Sequence, residues 1–272
     1  MSPVCVRVST VQMRSSESLD QNVSKITQFL VDLAADGVQI AVFPECALTS
    51  YDGAVIRQTG SAELSAALEA VSAACRANRV AALIGTPLFR EDGKFWNSAV
   101  VFDSDGDIVE RYHKVHLAEE WPEPGDHLAL FDIAGVKATI IICHDGRYPE
   151  LVRLPVIAGA RLLFQLSCGS GLREEYKLDP GRAQIQARAV ENGIWVVQAN
   201  APANEDCSGS HGESRIIAPD GNVLMEASWF KEEALTTDLD MTRADGLWAR
   251  NSLNCEFLKE FWETGLKTLE KK

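Results

Sequence analysis

Short β-branched runs alternate with helical periods along this chain in an order that occurs twice, and that order restricts the fold more than any other feature. VCVRVSTVQM, residues 4–13, alternates well enough for a strand. Residues 19–35 then carry Val23, Ile26, Leu30 and Leu33 at helical spacing, ending before Gly37. VQIAVF reads as a strand, the alanine-rich SAELSAALEAVSAACRAN as a helix, and VAALIG as a strand. Such a β-α-β-α-β order implies parallel strands with right-handed crossovers. FWNSAVVFDSDGDIVERYH follows as an antiparallel hairpin around Asp103 to Asp107. The pattern then returns. LALFDI and VKATIII are strands joined at Ala134 and Gly135, and PELVRLPVIAG is a helix that Pro155 kinks or shortens. ARLLFQL, RAQIQARAVENG and GIWVVQAN continue as strand, helix and strand, and ESRIIA and NVLMEA flank Pro219, Asp220 and Gly221 as a second hairpin. Two such halves make an α/β protein with two sheets face to face and helices outside both.

At 272 residues and 46% hydrophobic content, with no break in composition, the expectation is a single domain over residues 1–272. A helical extension closes it at about residues 250–272. There NSLNCEFLKEFWETGLKTLEKK reads as an amphipathic helix with Leu253, Phe257, Leu258, Phe261, Trp262 and Leu266 near one face. No apolar run of about 18 residues exists to span a membrane, and MSPVCVRVSTVQM lacks the regions of a signal peptide. A cytoplasmic location is expected. The net charge of −13 argues against nucleic acid as a partner, because no basic cluster is present to displace counterions. Seven cysteines, scattered without the short paired spacing of a zinc site, read as reduced thiols.

Several strands end in reactive residues. VQIAVF runs into Pro44 and Glu45, VERYH into Lys114, and the run Ile140, Ile141, Ile142 into Cys143. The last run has the character of a strand buried on both faces, while Asp145, Gly146 and Pro149 beyond it belong to turns. Each ending alone fits a solvated turn or an inert thiol. Together the three suit one reaction. A thiol attacks an amide or nitrile carbon if a carboxylate takes its proton, and an ammonium holds the oxyanion that develops. His113 and His116 form an H-x-x-H pair, but on a strand the two rings fall on opposite faces, so no metal is expected. Cys143 and His144 are adjacent on a turn, which does not favour a thiol–imidazole bond.

FPECALTSY around Glu45, RYHKVHL around Lys114 and ICHDGRYPE around Cys143 resemble the three signature blocks of the nitrilase superfamily, the carbon–nitrogen hydrolases, in their order and separation. The resemblance continues through RAQIQARAVENGIWVVQAN and GESRIIAPDGNVL, covering residues about 4 to 240. It implies a four-layer αββα sandwich, with Cys143 as nucleophile, Glu45 as general base and later acid, and Lys114 as electrostatic stabiliser. It implies a thioester intermediate, an oxyanion held also by the backbone amide of His144, and no cofactor. Many members carry a second glutamate shortly before a Pro-Gly pair. In EEWPEPGD the candidates are Glu119, Glu120 and Glu123, and Glu120 is taken first because its spacing resembles that of the aliphatic amidases. Arg147 and Glu150 are assigned supporting ion-pair or hydrogen-bond roles in the turn, with carboxylate binding by Arg147 as an alternative, and His116 a structural hydrogen bond. The loop SCGSGLREE lines the substrate in the family, and Cys168 and Gly169 depart from the proline-containing sequence common there.

True nitrilases usually follow the cysteine with tryptophan and glutamate. CHDGRYPE is nearer the amidase pattern, so an amidase is expected, acting on a small aliphatic amide, an ω-amide or an N-carbamoyl compound. Tyr51, Trp121, Trp195 and Trp229 are each either pocket wall or core. The family habit of dimers makes a homodimer or larger homo-oligomer the expected assembly. The alternatives are a catalytically silent binding or regulatory subunit, a true nitrilase, or an N-acyltransferase.

Overall fold

The computed structural model describes residues 5–270. Val4, at the start of the expected first strand, and Lys271 and Lys272 of the expected extension lie outside the described residues.

The first half contains β1 (Cys5–Gln12), α1 (Leu19–Ala35), β2 (Ile40–Val42), α2 (Gly53–Gln58), α3 (Ser61–Asn78), β3 (Ala81–Phe89), β4 (Phe95–Phe102), β5 (Ile108–His113) and β6 (Pro122–Glu123). The second contains β7 (Phe131–Ile133), β8 (Val136–Ile142), α4 (Glu150–Ile157), β9 (Leu162–Ser167), α5 (Leu178–Val190), β10 (Trp195–Asn200), β11 (Arg215–Ile217), β12 (Val223–Glu226), β13 (Glu233–Asp240), α6 (Leu247–Asn251) and α7 (Lys259–Leu266). One sheet has seven strands in the order β13-β1-β2-β3-β4-β5, with β6 beside β4, and the other runs β12-β11-β10-β9-β8-β7. As the sequence order implies, β1-β2-β3 and β8-β9-β10 are parallel, and the segments read as hairpins are antiparallel.

Apolar packing divides into three clusters that separate four layers. Val6, Val8, Ile40 and Leu83 from one sheet meet Ile140, Ile142, Phe164 and Trp195 from the other. Ile26, Leu30 and Val71 of α1 and α3 cover the outer face of the first sheet, and Leu151, Val152, Ile185 and Ala189 of α4 and α5 cover the second. The isoleucine run shows why β-branched residues fill this strand. Ile140 and Ile142 enter the core between the sheets while Ile141 enters the helical side, because successive side chains alternate. The resulting arrangement is the four-layer αββα sandwich.

Two features differ from the sequence expectations. β13 crosses back from the second half to pair antiparallel with β1 over eight residues, so the halves are joined through the first sheet. Nor is the C-terminal segment one helix. It breaks into the 3-10 turns Ser252–Asn254 and Glu256–Leu258 before α7, with Cys255 in extended backbone. Trp262 and Leu266 pack against the α4–α5 cluster, whereas Phe257 is 93% exposed and Phe261 62% exposed, so the apolar stripe is covered only in part. Pro155 lies inside α4, which ends two residues later at Ile157.

Candidate active site

Glu45, Lys114 and Cys143 all stand just beyond the ends of strands β2, β5 and β8, at one end of the two packed sheets. Glu45 is held there by its backbone. Its N–H reaches Ser167 O at 3.3 Å, and Gly85 of β3 makes room for the chain, since a Cβ at Gly85 would stand 2.2 Å from Pro44 O and 2.6 Å from Glu45 Cα. Lys114 is anchored by its N–H to Asn97 O at 2.8 Å. Cys143 opens a 3-10 turn, Cys143–Arg147, with a left-handed φ of 44°, a conformation that costs a non-glycine residue energy and is retained where the surroundings enforce it.

The carboxylate of Glu45 is fully partnered. Oε1 accepts from Lys114 Nζ at 2.8 Å and Asn97 Nδ2 at 2.7 Å, and Oε2 from the backbone N–H of Cys168 at 2.8 Å. Lys114 Nζ also donates to Glu119 Oε1 at 2.5 Å, and the Tyr51 hydroxyl donates to the same oxygen. Glu119 therefore takes the place that the sequence reading gave to Glu120. Spacing to the Pro-Gly pair pointed one residue too far, and Glu120 is exposed while Glu123 pairs with Lys94 at 2.7 Å.

Burial raises Glu45 and the Lys114 ammonium opposes it, leaving the carboxyl at about 7, near the pH at which a group both accepts and returns a proton. Burial works against the charge of Lys114 but is overcome by Glu45, Cys143 and Glu119, which hold the amine above its ordinary range. Glu119, despite burial, is held below the usual carboxylate range by Lys114. Burial, with the Glu45 carboxylate next, pushes the Cys143 thiol well up. A thiol so placed needs a base as it attacks. Two of the three ammonium protons of Lys114 are engaged by carboxylates, which leaves one for a developing oxyanion.

The turn after Cys143 is fixed by Asp145 rather than by Arg147 and Glu150. Buried Asp145 accepts from Ile142 N at 3.0 Å, His116 N at 2.8 Å and the Tyr112 hydroxyl at 2.8 Å. Arg147 and Glu150 are exposed and make no ion pair or side-chain hydrogen bond among the described residues, so the supporting bonds assigned to them are not present. His116 contributes its backbone N–H, and its ring stacks on Tyr148 with centroids 3.4 Å apart. His113 stacks on Trp96 and meets Ser98 Oγ at 2.8 Å, so the two histidines serve separate neighbours. His144 is partly buried beside Cys143. No group of three or more His, Cys, Asp or Glu that could hold a metal occurs among the described residues.

A cavity of about 540 Å³ opens on this cluster, lined by Tyr51, Cys143, His144, Arg147, Cys168 and His211 among others. Tyr51 is thus pocket wall, Trp195 is core between the sheets, and Trp229 is 47% exposed. Sequence reasoning missed Asn97 altogether, and it did not foresee that the Tyr51 hydroxyl donates to Glu119 or that Asp145 accepts the bonds that hold the turn. A polar residue inside the apolar strand FWNSAVVF was the available signal for Asn97, whose amide is oriented with Oδ1 towards the Cys46 thiol and Nδ2 towards Glu45.

The chain matches the carbon–nitrogen hydrolase family over residues 7–247. It is 28% identical over 254 residues to omega-amidase NIT2-B of Xenopus laevis, covering 86% of this chain and 88% of that protein. It is 28% identical over 220 residues to the 2-oxoglutaramate amidase of Bacillus subtilis, covering 79% and 82%. Among solved structures, Saccharomyces cerevisiae Nit3, a member of the nitrilase superfamily, superposes with a TM-score of 0.82 at 22% identity over 94% of this chain and 96% of that one. An amidase from Nesterenkonia sp. AN1, bearing the acetamide moiety of fluoroacetamide on its active site cysteine, superposes with a TM-score of 0.83 at 21% identity over 96% and 99%. The match over nearly the whole length, together with the sandwich fold, shows that the chain belongs to the carbon–nitrogen hydrolase family.

Proposed function

We propose that this protein is an amidase that hydrolyses the carboxamide end of a small ω-amide through a Cys143 thioester. The observation that carries this reading is the buried Glu45–Lys114–Glu119 cluster, with Lys114 Nζ at 2.8 and 2.5 Å from the two carboxylates, beside a cavity that contains Cys143. Cys143 Sγ attacks the amide carbon as Glu45 takes the thiol proton. The oxyanion is held by the remaining Lys114 N–H and by the backbone amide of His144. Collapse of this intermediate breaks the C–N bond, Glu45 returns the proton to the nitrogen, and ammonia leaves. Water then attacks the thioester with Glu45 as base, releasing the carboxylate and restoring the thiol. Glu119 stays ionised and keeps Lys114 charged and in place.

The carboxylate at the far end of the substrate is matched to Arg147. Its guanidinium lines the cavity, is exposed and has no carboxylate partner among the described residues. The names omega-amidase and 2-oxoglutaramate amidase carried by relatives support the same substrate class. The assembly proposed is a homodimer that covers the exposed Trp248, Phe257 and Phe261 near the C-terminal end. All seven cysteines are free thiols, which supports a reducing, cytoplasmic setting. No helix among the described residues is long and apolar enough to cross a membrane.

The test is ammonia release from four- and five-carbon ω-amides, simple aliphatic amides and N-carbamoyl compounds by the wild type and by Cys143→Ala. Release from the ω-amides that disappears in the variant is expected, with an acyl adduct on Cys143 by mass spectrometry. Equal release from the variant would overturn the mechanism, and no adduct with any compound would favour a silent binding subunit. Sedimentation showing a monomer at all concentrations would remove the dimer.

A further inference from the structure

The loop after β9 ties the base to a histidine that the reaction above leaves unused. Cys168 N–H donates to Glu45 Oε2 at 2.8 Å, Gly169 N–H to Asn200 Oδ1 at 3.0 Å, and His211 Nδ1 meets Ser170 O at 2.6 Å. A carbonyl oxygen only accepts, so Nδ1 carries a proton and the neutral ring presents Nε2 as a bare acceptor. Burial holds His211 below the usual histidine range, which keeps that ring neutral near pH 7. Nε2 has no hydrogen-bond partner among the described residues and is not fully enclosed, and His211 lines the cavity. Its position is tightly set. A Cβ at Gly169 would stand 2.5 Å from His211 Cε1, so the glycine that departs from the family's usual loop is what lets the ring lie against this wall.

We propose that His211 determines specificity by accepting, at Nε2, a hydrogen bond from a hydroxyl or amino group on the acyl chain of the substrate. The preferred ω-amide then carries such a donor, and one with a methyl group in its place is disfavoured. This inference rests on the amidase reading, and the two are separable. Two buried amides also line this cavity: Gln198 Oε1 accepts from Arg215 Nη1 at 3.3 Å, and Gln165 donates through Nε2 to Cys143 O at 3.0 Å while its Oε1, though without a partner among the described residues, is enclosed and closed to a ligand.

The experiment compares four- and five-carbon ω-amides bearing a hydroxyl or a methyl group at each chain carbon in turn, in the wild type, His211→Phe and His211→Gln. The quantity read is the KM of the methyl compound divided by that of its hydroxyl partner. A neutral hydrogen bond predicts a ratio of roughly three to ten at one position or more in the wild type. The ratio falls towards one in His211→Phe and is kept in His211→Gln, whose amide oxygen still accepts. A purely structural role would shift both compounds together and leave the ratio unchanged. A ratio near one at every position in the wild type, or an unchanged ratio in His211→Phe, would overturn the inference. Should no compound turn over, the amidase reading fails separately, and the same ratio is then read from protection of Cys143 against iodoacetamide, which judges His211 by binding alone.

Discussion

Lys114 Nζ lies 2.8 Å from Glu45 Oε1, and both side chains are fully buried, so each charge depends on the other for its place in the core. Replacing Lys114 with Met leaves two carboxylates, Glu45 and Glu119, facing one another without a cation. Removing one partner of a buried pair typically costs about 3–5 kcal/mol, and removing an oxyanion donor about a hundred- to a thousandfold in kcat. Urea unfolding and steady-state kinetics of Lys114→Met check both numbers. A variant that keeps wild-type stability would show that the pair carries no net dependence.

The second glutamate is decided by position rather than spacing. Glu119→Gln removes the charge that meets Lys114 Nζ at 2.5 Å, and a fall of about a hundredfold in kcat/KM is expected. Glu120→Gln, on an exposed side chain, is expected within about twofold of wild type. The reverse ranking would reinstate Glu120.

Glu45 sets the pH profile. With its carboxyl raised to about 7, kcat/KM rises with pH through that value as the base becomes available to the thiol. The stability consequence has the opposite slope. The native state binds the Glu45 proton more tightly than the unfolded chain does, whose carboxyl titrates near 4.5, so this stabilising contribution is complete at low pH and is lost as pH rises through about 7. Urea midpoints of the wild type and Glu45→Gln across that range isolate the contribution, because the variant cannot titrate. A wild-type profile with no inflection near 7 would contradict it.

Gly85→Ala tests the packing behind the base. The added methyl would meet Pro44 O at 2.2 Å and Glu45 Cα at 2.6 Å, which are backbone positions that cannot swing aside. A displacement of about 1 Å at the base corresponds to a loss near a hundredfold. Preserved kcat in a folded Gly85→Ala protein would mean that the β2 end moves without consequence.

Asp145→Asn tests the turn that carries the nucleophile. The carboxylate accepts three hydrogen bonds, and an amide in its place turns one acceptor into a donor facing an N–H or a hydroxyl. Destabilisation of about 1–3 kcal/mol is expected. Slower alkylation of Cys143 by iodoacetamide in the folded variant would accompany it.

Much of this architecture was legible from local pattern. The alternation of Ile140, Ile141 and Ile142 specifies a strand buried on both faces whatever surrounds it, and the repeated βα order specifies parallel sheets. Glu45, Lys114 and Cys143 were singled out because each follows a strand-like run and the three blocks around them resemble, in order and separation, those of one family, although no one of them was distinctive alone. Other elements depend on distant partners. β13 is a strand because β1 offers it an open edge, and EALTTDLD has no strong signal of its own. The C-terminal stripe has helical periodicity, yet among the described residues of the segment only Trp262, Leu266 and Leu269 pack on the α4–α5 cluster, and the segment breaks at Cys255.

The sequence by itself determined the layers and the chemical types at the strand ends, because side-chain alternation and helical period are local properties of the backbone. Which acidic residue reaches Lys114, which group clamps the nucleophile turn and which ring lines the cavity were decided only by tertiary structure. Glu119 and Glu120 are neighbours with the same chemistry, and Asp145 and Arg147 are equally plausible anchors on paper. Burial separates them, since a charge is retained inside only where hydrogen-bond donors converge on it, and that convergence brings together Tyr51, Asn97, Lys114 and Cys168 from four separate parts of the chain.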